Sequence, residues 1–295
     1  MPDEPINKDL APYEIKIIPT GSVKPAKKRD IALKYAKGEI LAFIDDDAYP
    51  APDWLKNAIK NFADLEVAAV GGPALTPADD TLRQKASGMV YSTFLVSGQY
   101  NYRYIPKQKI EVDDYPSCNF LVRKAVFEEL GGFDTVFWPG EDTKLCLDIT
   151  KKLSQKIIYD PKVIVYHHRR PLFSGHLKQI ANYALHRGYF VKRYPQTSLK
   201  FSYFIPSLFL LFLIVGGVIA WFLGGFLRIA YLFSLFLYLF LVLIFSINRE
   251  LRLIALVFPG IILTHLTYGF YFLKGLFSKR LKEEDEDNYC LPTIK

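Results

Sequence analysis

Three consecutive carboxylates, Asp45, Asp46 and Asp47, follow the apolar run EILAFI at residues 39–44. Adjacent carboxylates repel one another unless a positive charge lies between them, and a hard divalent cation such as Mg²⁺ or Mn²⁺ prefers oxygen ligands of this kind. Successive side chains of a strand point to opposite sides, so Asp45 and Asp47 are expected to share one side. We predict these two residues as metal ligands. An acidic turn between a strand and a helix explains the same residues without a metal.

A second acidic pair, Glu141 and Asp142, follows Pro139 and Gly140 at the start of a predicted helix. The helix macrodipole and the free amides of the first turn favour the ionised form of a carboxylate there. An ionised Asp142 that faces a cleft could accept a proton, which makes it a candidate general base. The alternative is that both residues only cap the helix.

Basic residues on a helix predicted over residues 24–37 precede the acidic strand. Lys28 and Arg29 could meet the phosphate charge of a ligand bound at the aspartates. A solvated basic helix face is the alternative interpretation.

The segment that leads into the hydrophobic part of the chain contains Gln179, Tyr183 and Arg187, spaced at four residues. On a helix they share one face, so Gln179 and Arg187 could point together toward a substrate near a membrane. An amphipathic helix among lipid headgroups is the alternative. The adjacent His167 and His168 lack the spacing of a transition-metal site, and ordinary hydrogen-bonding roles are expected for them.

Short β-rich runs alternate with helical patterns over residues 1–200, which predicts an α/β sheet with helices packed on it. The expected strands are at residues 14–18, 39–44, 67–72 and 115–122, and a helix is expected at residues 124–130. The apolar positions of residues 39–44 do not alternate, so this strand is expected at the centre of the sheet with both faces buried. Ligands of open α/β sheets bind beyond the carboxyl ends of the strands, where the three aspartates lie.

Residues 201–227, 229–248 and 253–273 contain no Asp, Glu, Lys or Arg. A helix needs roughly 20 residues to cross the hydrocarbon core of a bilayer, so about three transmembrane helices are predicted. We therefore expect a soluble domain at residues 1–200, membrane helices at 201–275 and a charged tail at 276–295. The last apolar run contains Pro259 and His265 and could instead be re-entrant.

The amino terminus MPDEPINKDL lacks the apolar segment of a signal peptide, so the soluble domain is expected on the cytoplasmic side of a multi-pass cell-membrane protein. The formal net charge is +7, but basic residues gather beside the hydrophobic runs. This placement fits contact with membrane lipids and argues against a nucleic-acid partner. The scattered Cys118, Cys146 and Cys290 are too few for a disulfide framework or a zinc site and are expected to be reduced.

Four segments together, KPAKKRDIALKYAKGEILAFIDDDAYPAPDWL, GGPALTP, CNFLVRKAVFEELGGFD and GEDTKLCLDI, resemble the family 2 glycosyltransferases, the inverting enzymes with the GT-A fold. The resemblance covers residues 12–195 and is greatest to membrane-attached members with C-terminal transmembrane helices. It implies a Rossmann-like mixed sheet with flanking helices. It also implies a nucleotide-sugar donor whose diphosphate is held by Mg²⁺ or Mn²⁺.

The predicted donor site comprises Asp45, Asp46 and Asp47 with the basic residues Lys28 and Arg29 of the preceding helix. Asp45 and Asp47 match the D-x-D motif that holds the metal and the diphosphate. The first two strands of the family, which hold the nucleotide base, have no counterpart before residues 39–44. An N-terminally incomplete catalytic domain is therefore expected.

The reaction centre that the resemblance implies lies at the E-D motif, Glu141 and Asp142, with Asp142 as the general base. Gln179 and Arg187 sit where processive relatives carry a Gln-x-x-Arg-Trp motif on the acceptor side, although the spacing here differs from that motif.

The predicted function is therefore transfer of a sugar, with inversion, from a nucleotide-sugar to a lipid-linked or polysaccharide acceptor in cell-envelope glycan or glycolipid synthesis. A non-catalytic membrane subunit or a truncated remnant of such an enzyme is one alternative. A metal-dependent nucleotidyltransferase is another, because it also uses acidic metal ligands.

Overall fold

The computed structural model describes residues 16–287 and has the predicted architecture, a mixed α/β part followed by apolar helices. The strand predicted at residues 14–18 falls partly outside the described residues, and residues 16–18 do not form a strand. The end of the predicted charged tail, with Cys290, also lies outside them. Cys118 and Cys146 are free thiols, as expected.

The strands form two sheets. Numbered in chain order, they are β1 (Ile40–Ile44), β2 (Ala48–Pro50), β3 (Val67–Gly71), β4 (Ala74–Leu75), β5 (Ile110–Val112), β6 (Asn119–Arg123), β7 (Lys156–Tyr159) and β8 (Val165–His167). The larger sheet has the order β1-β6-β3-β7-β5, in which β3 and β7 are parallel and the other neighbours antiparallel. The smaller sheet has the order β2-β8-β4. The prediction of a mixed sheet is confirmed.

The prediction that residues 39–44 form a central strand with both faces buried is wrong. In the described part of the chain β1 lies at the edge of the larger sheet and pairs with β6 alone, from Ile40 opposite Arg123 to Ile44 opposite Asn119. Only Leu41 of this strand is buried, and Ala42 is exposed. An uninterrupted apolar run shows that side chains contact other apolar groups, but it does not show how many strands hydrogen-bond beside it.

Two hydrophobic layers cover the faces of the larger sheet. Phe120 of β6 belongs to a buried cluster with Phe127, and the next residue, Leu121, belongs to a second cluster with Trp54 and Val70. This division follows from the alternation of side chains along a strand. The core therefore holds β6 in register between β1 and β3, so that the end of β1 is fixed.

The helices flank the sheets and then leave them. They are α1 (Pro25–Leu33), α2 (Trp54–Ile59), α3 (Leu82–Ser92), α4 (Phe94–Ser97), α5 (Lys124–Glu129), α6 (Glu141–Leu147), α7 (Ser174–Arg193), α8 (Pro195–Ser198), α9 (Phe201–Leu211), α10 (Gly217–Leu223), α11 (Gly225–Ser246), α12 (Leu251–Phe277) and α13 (Lys282–Asp287). α1 ends earlier than predicted because its last turn tightens, with Tyr35 N donating to Ala32 O and Ala36 N to Leu33 O. α6 begins at Glu141, as predicted.

Three helical segments of the described chain are long and apolar enough to cross a membrane, judged by length and composition: Phe201–Leu223, Gly225–Ser246 and Leu251–Glu284. The most apolar window of the third segment is 39% buried within the protein, against 11% for each of the others. The third segment is therefore packed against the rest of the protein to a greater extent than the other two. Its helix α12 is continuous through Pro259, so the chain does not turn back there.

Glycines bring α7 and α12 into close contact. A Cβ atom added at Gly188 of α7 would overlap the backbone of Phe272, and one added at Gly275 of α12 would overlap the backbone of Leu185. The missing side chains let the two backbones touch, which joins the soluble part to the apolar helices.

We expect Gly275→Ala to destabilise the protein by about 1–3 kcal/mol, the usual cost of overpacking, because the helix backbone cannot yield locally. The midpoint of thermal unfolding in detergent measures the effect. Gly38→Ala is the matched control, because a methyl group there would meet only Ile40 O at an ordinary 3.5 Å. Equal midpoints for both variants would contradict the close contact of α7 and α12.

Candidate functional site

Asp45, Asp47 and His167 form a cluster that could hold a metal ion. One ligand atom from each residue lies within 4.8 Å of the others. The two aspartates lie in the turn between β1 and β2, and Ala48 pairs with His167 across the smaller sheet. The turn, rather than strand alternation, brings Asp45 and Asp47 together, whereas Asp46 is exposed.

Asp47 is bound tightly to cations at this cluster. His167 Nε2 lies 2.9 Å from Asp47 Oδ1, and Arg170 Nη2 lies 3.5 Å from Asp47 Oδ2. Burial raises the pKa of Asp47, but the hydrogen bond and charge of His167 and the charge of Arg170 hold it below its usual value. Burial, the largest effect, lowers the pKa of His167, but Asp47 and Cys118 together outweigh burial and raise the pKa to about 9. A metal ligand must give up its proton, so a cation that binds His167 competes with H⁺.

Arg29 connects the two acidic motifs. Its Nη2 lies 2.8 Å from Asp45 Oδ1 and its Nη1 lies 2.9 Å from Glu141 Oε1. Both guanidinium ends therefore face protein carboxylates. A phosphate would have to compete with Asp45 and Glu141 for Arg29, and phosphate binding by Arg29 stays a prediction. Lys28 is exposed on α1.

Asp142 lies at the first turn of α6. Its carboxylate accepts hydrogen bonds from the backbone amides of Thr143, at 2.8 Å, and Ser117, at 3.3 Å. Burial raises the pKa of Asp142 to about 7, and the negative charges of Glu141 and Asp114 act in the same direction. Such a carboxylate can exchange a proton near neutral pH, as a general base must.

A cavity of about 720 Å³ runs from this site to the apolar helices. Its wall includes Asp47, His167 and Asp142. Side chains of all three candidate membrane segments also line it, among them Phe209 of α9, Tyr238 of α11 and His265 of α12.

Gln179 and Arg187 both line this cavity from α7. Gln179 accepts a hydrogen bond from Tyr91 OH at 3.0 Å and donates one to Tyr183 OH at 3.1 Å. Arg187 Nη2 lies 3.0 Å from Asp114 Oδ2. Their shared helix face agrees with the predicted spacing, and their contact with an acceptor stays a prediction.

Sequence reasoning missed His167 as a possible ligand and did not single out Arg103 or Asp114. His167 reaches Asp47 only through the pairing of β2 with β8, which no local spacing reveals. The sequence contained a weak signal for Asp114, since the acidic pair Asp113 and Asp114 lies shortly before the CNFLV run that begins at Cys118. Arg103 had none. Burial raises the pKa of Asp114, but Arg187 and Arg103 lower it below its usual value.

The matches to known proteins agree with this geometry. Residues 4–131, which are less than half of the chain, match the family described as Glycosyl transferase family 2, and this match supports a family 2 glycosyltransferase. Its mixed sheet with flanking helices is consistent with the GT-A fold.

Two kinds of curated relative are similar to parts of the chain. A pre-mycofactocin glycosyltransferase of Mycobacterium tuberculosis is 27% identical over 146 residues, which cover 50% of this chain and 30% of the relative. A glucosyl-dolichyl phosphate glucuronosyltransferase of Haloferax volcanii is 25% identical over 138 residues, which cover 44% of this chain and 43% of the relative. The matched part of this chain therefore spans less than half the length of either curated relative.

We expect Asp47→Asn and His167→Ala each to weaken Mn²⁺ binding by at least about 10-fold, a loss that even outer partners of a metal site produce. Isothermal titration of the full chain with Mn²⁺ measures the affinity. His168→Gln is the matched control, because the His168 side chain hydrogen-bonds to Asp80. Its backbone amide, which the substitution keeps, donates to Asp47 O at 2.9 Å. Wild-type affinity in the Asp47 and His167 variants would show that the two residues form only an internal hydrogen bond.

Proposed function

We propose that this protein transfers a sugar from a nucleotide-sugar donor to a lipid-linked acceptor, with inversion at the anomeric carbon. One observation carries the proposal: a single cavity is lined by Asp47 and His167 of the metal-binding cluster, by Asp142 and by the apolar helices. Such a cavity allows a water-soluble donor and a membrane-bound acceptor to meet. Residues 1–200 form the catalytic domain, residues 201–275 the membrane helices and residues 276–295 the tail.

The donor side of the site would hold the diphosphate through a divalent cation at Asp45, Asp47 and His167. The cation would offset the negative charge that develops on the departing nucleoside diphosphate. Two carboxylates and an imidazole suit Mn²⁺ better than Mg²⁺, which prefers oxygen ligands alone. Arg170 is exposed beside Asp47 and can contribute a further positive charge to the diphosphate.

The acceptor side places a base where the sugar is transferred. Asp142 takes the proton of the acceptor hydroxyl as the hydroxyl attacks the anomeric carbon from the face opposite the leaving diphosphate. Attack from the opposite face produces inversion. Arg29 supports this arrangement by tying Glu141, the residue before the base, to Asp45 at the donor site.

A lipid-linked acceptor is favoured by the aromatic and apolar wall that the membrane segments contribute to the cavity. The Haloferax relative is named for a dolichyl phosphate-linked substrate, which supports an acceptor of this class. We place the protein in a cell membrane as a multi-pass protein, with its catalytic domain on the cytoplasmic side, in cell-envelope glycan or glycolipid synthesis. Neighbouring membrane lipids would contact the exposed sides of the helices.

We expect Asp142→Asn to lower sugar transfer by about 100-fold or more, because the amide cannot take the acceptor proton. Membranes that contain the full chain are incubated with Mn²⁺, polyprenyl-phosphate-linked acceptors and a panel of labelled nucleotide-sugars, and label in the lipid fraction is counted. Asp148→Asn is the matched control, since Asp148 pairs with Lys144 at 2.6 Å on the same helical segment.

Mn²⁺ affinity should be unchanged in Asp142→Asn, which shows that the variant is folded. Full transfer by this variant would refute the base assignment. A wild-type protein that binds Mn²⁺ and transfers no sugar from any donor of the panel would favour a non-catalytic membrane subunit. Transfer of labelled nucleotide instead of labelled sugar would identify a nucleotidyltransferase.

The transfer rate should rise with pH, with a midpoint near the pKa of about 7 of Asp142, because only the ionised carboxylate acts as a base. The sign follows from the raised pKa: at lower pH Asp142 is protonated and inactive. Rates at saturating donor and Mn²⁺ between about pH 5.5 and about pH 8.5 measure the profile. A rate that stays constant over this range would contradict the assignment.

A further inference from the structure

Two arginines meet one carboxylate in the cavity wall. Arg187 Nη2 lies 3.0 Å from Asp114 Oδ2, and Arg103 Nη2 lies 3.6 Å from the same oxygen. Arg103 also donates a hydrogen bond to the backbone carbonyl of Asp114 at 2.6 Å. The arginine pair, as we call Arg103 and Arg187, therefore carries one positive charge more than Asp114 balances.

The surrounding residues do not remove this surplus charge. Lys200 and Asp113 form their own ion pair at 2.6 Å, so their charges cancel. In the part of the chain that the structure describes, Asp142 forms an ion pair with neither arginine. Arg103 Nε is buried and has no hydrogen-bond partner among the described residues. A buried cation with an unused donor is costly unless an anion supplies the missing partner.

The arginine pair connects the reaction centre with the first apolar helix. Arg187 Nη2 lies 3.4 Å from the hydroxyl of Thr143, the residue that follows the proposed base. The Arg187 guanidinium also lies 4.9 Å from the ring centre of Tyr203, in the first turn of α9. The Tyr203 ring stacks on Tyr100 at 5.7 Å, and Arg103 lies 5.0 Å from the Tyr100 ring centre. All these residues line the same cavity.

We propose that the arginine pair binds the phosphate group of a lipid phosphate whose apolar chain runs between the membrane helices. Guanidinium groups present paired N–H donors that match phosphate oxygens. Ile205 and Phe209 of α9 line the part of the cavity that would hold the chain. The role of this lipid as the sugar acceptor rests on the proposed function, and its reacting hydroxyl then lies beyond the phosphate, toward Asp142.

Binding of decyl phosphate to the full chain in a nonionic detergent tests the site without sugar transfer. EDTA is present, so that binding through a metal ion does not contribute. By isothermal titration we expect decyl phosphate to bind at least about 10-fold more tightly than inorganic phosphate or decanol, because it alone supplies both the charge and the chain. Decanol binding as tightly as decyl phosphate would overturn the phosphate assignment. Inorganic phosphate binding as tightly would overturn the lipid assignment.

A bulk phospholipid headgroup is the other source of the same phosphate chemistry. Dioleoylphosphatidylglycerol is therefore added to the micelles as a competitor at the same concentration as decyl phosphate. We expect little competition, because the phospholipid carries two acyl chains and the proposed site holds a lipid phosphate with one. Equal competition would show that the site takes a phospholipid headgroup, which overturns the acceptor role.

Variants of the arginine pair test whether these two residues bind the phosphate group. Arg103→Gln and Arg187→Gln should each weaken decyl phosphate binding by about 10-fold, the order expected for a hydrogen bond to a charged group. Arg193→Gln, on the same helix α7 but outside this cavity, is the matched control and should bind like the wild type. Unchanged affinity in both arginine variants would overturn the proposal.

Asp114→Asn keeps the proposal testable if the arginine variants fold poorly. The amide still accepts the hydrogen bond that Thr143 Oγ1 donates to Asp114 Oδ1 at 3.2 Å, but it removes the negative charge that competes with phosphate. Decyl phosphate should therefore bind more tightly to Asp114→Asn than to the wild type. A folding defect could only weaken binding, so tighter binding cannot result from one. Weaker or equal affinity in an Asp114→Asn variant that unfolds at the wild-type temperature would overturn the proposal.

The failure of this inference can be distinguished from the failure of the proposed function. Asp142→Asn should lose transfer but bind decyl phosphate like the wild type. Full transfer activity in both Arg103→Gln and Arg187→Gln would overturn the phosphate site and leave the proposed function standing. Arginine-dependent binding of decyl phosphate by a wild-type protein that transfers no sugar would overturn the proposed function and leave the site standing.

Discussion

Repulsion between like charges is the constraint on which the arrangement of the site depends. Five carboxylates lie within one region of the protein: Asp45, Asp47, Asp114, Glu141 and Asp142. Cations hold four of them, since Arg29 spans two, His167 binds one and Arg187 binds one. Asp142 has no ion-pair partner among the described residues, and burial, together with the negative charges of Glu141 and Asp114, raises its pKa to about 7. Burial and the negative charge of its neighbours therefore make Asp142 suited to exchange a proton near neutrality.

The contact between α7 and α12 extends the site toward a membrane. Gly188 and Gly275 let the two helix backbones touch, and α7 also carries Gln179 and Arg187 on the cavity wall. A rigid junction fixes the distance between the reaction centre and the apolar helices. An acceptor anchored by a lipid chain can therefore present its reacting group at a defined position, which reduces the entropy lost when the reactants meet.

Sequence reasoning found the acidic motifs but not the cations that organise them. Asp45, Asp47 and Asp142 stood out because each belongs to a run of adjacent carboxylates at the end of a predicted element, and adjacent carboxylates repel one another. Arg29 was interpreted as a phosphate ligand, yet it lies between Asp45 and Glu141. The partner of Arg29 depends on how α1 and α6 pack against each other, and its spacing in the chain contains no information about that packing. His167 was assigned an ordinary hydrogen bond, which it has, but its place beside the aspartates required the pairing of β2 with β8.

By itself the sequence determined the α/β class, the apolar helices and the acidic motifs, because hydrophobic periodicity and runs of like charge are local properties. Tertiary structure alone decided that β1 lies at a sheet edge, that Arg29 joins two motifs distant in the chain, and that one cavity connects Asp142 with the apolar helices. These features arise from contacts between segments far apart in sequence. Such contacts depend on the packing of whole elements, and no short window of residues contains that information.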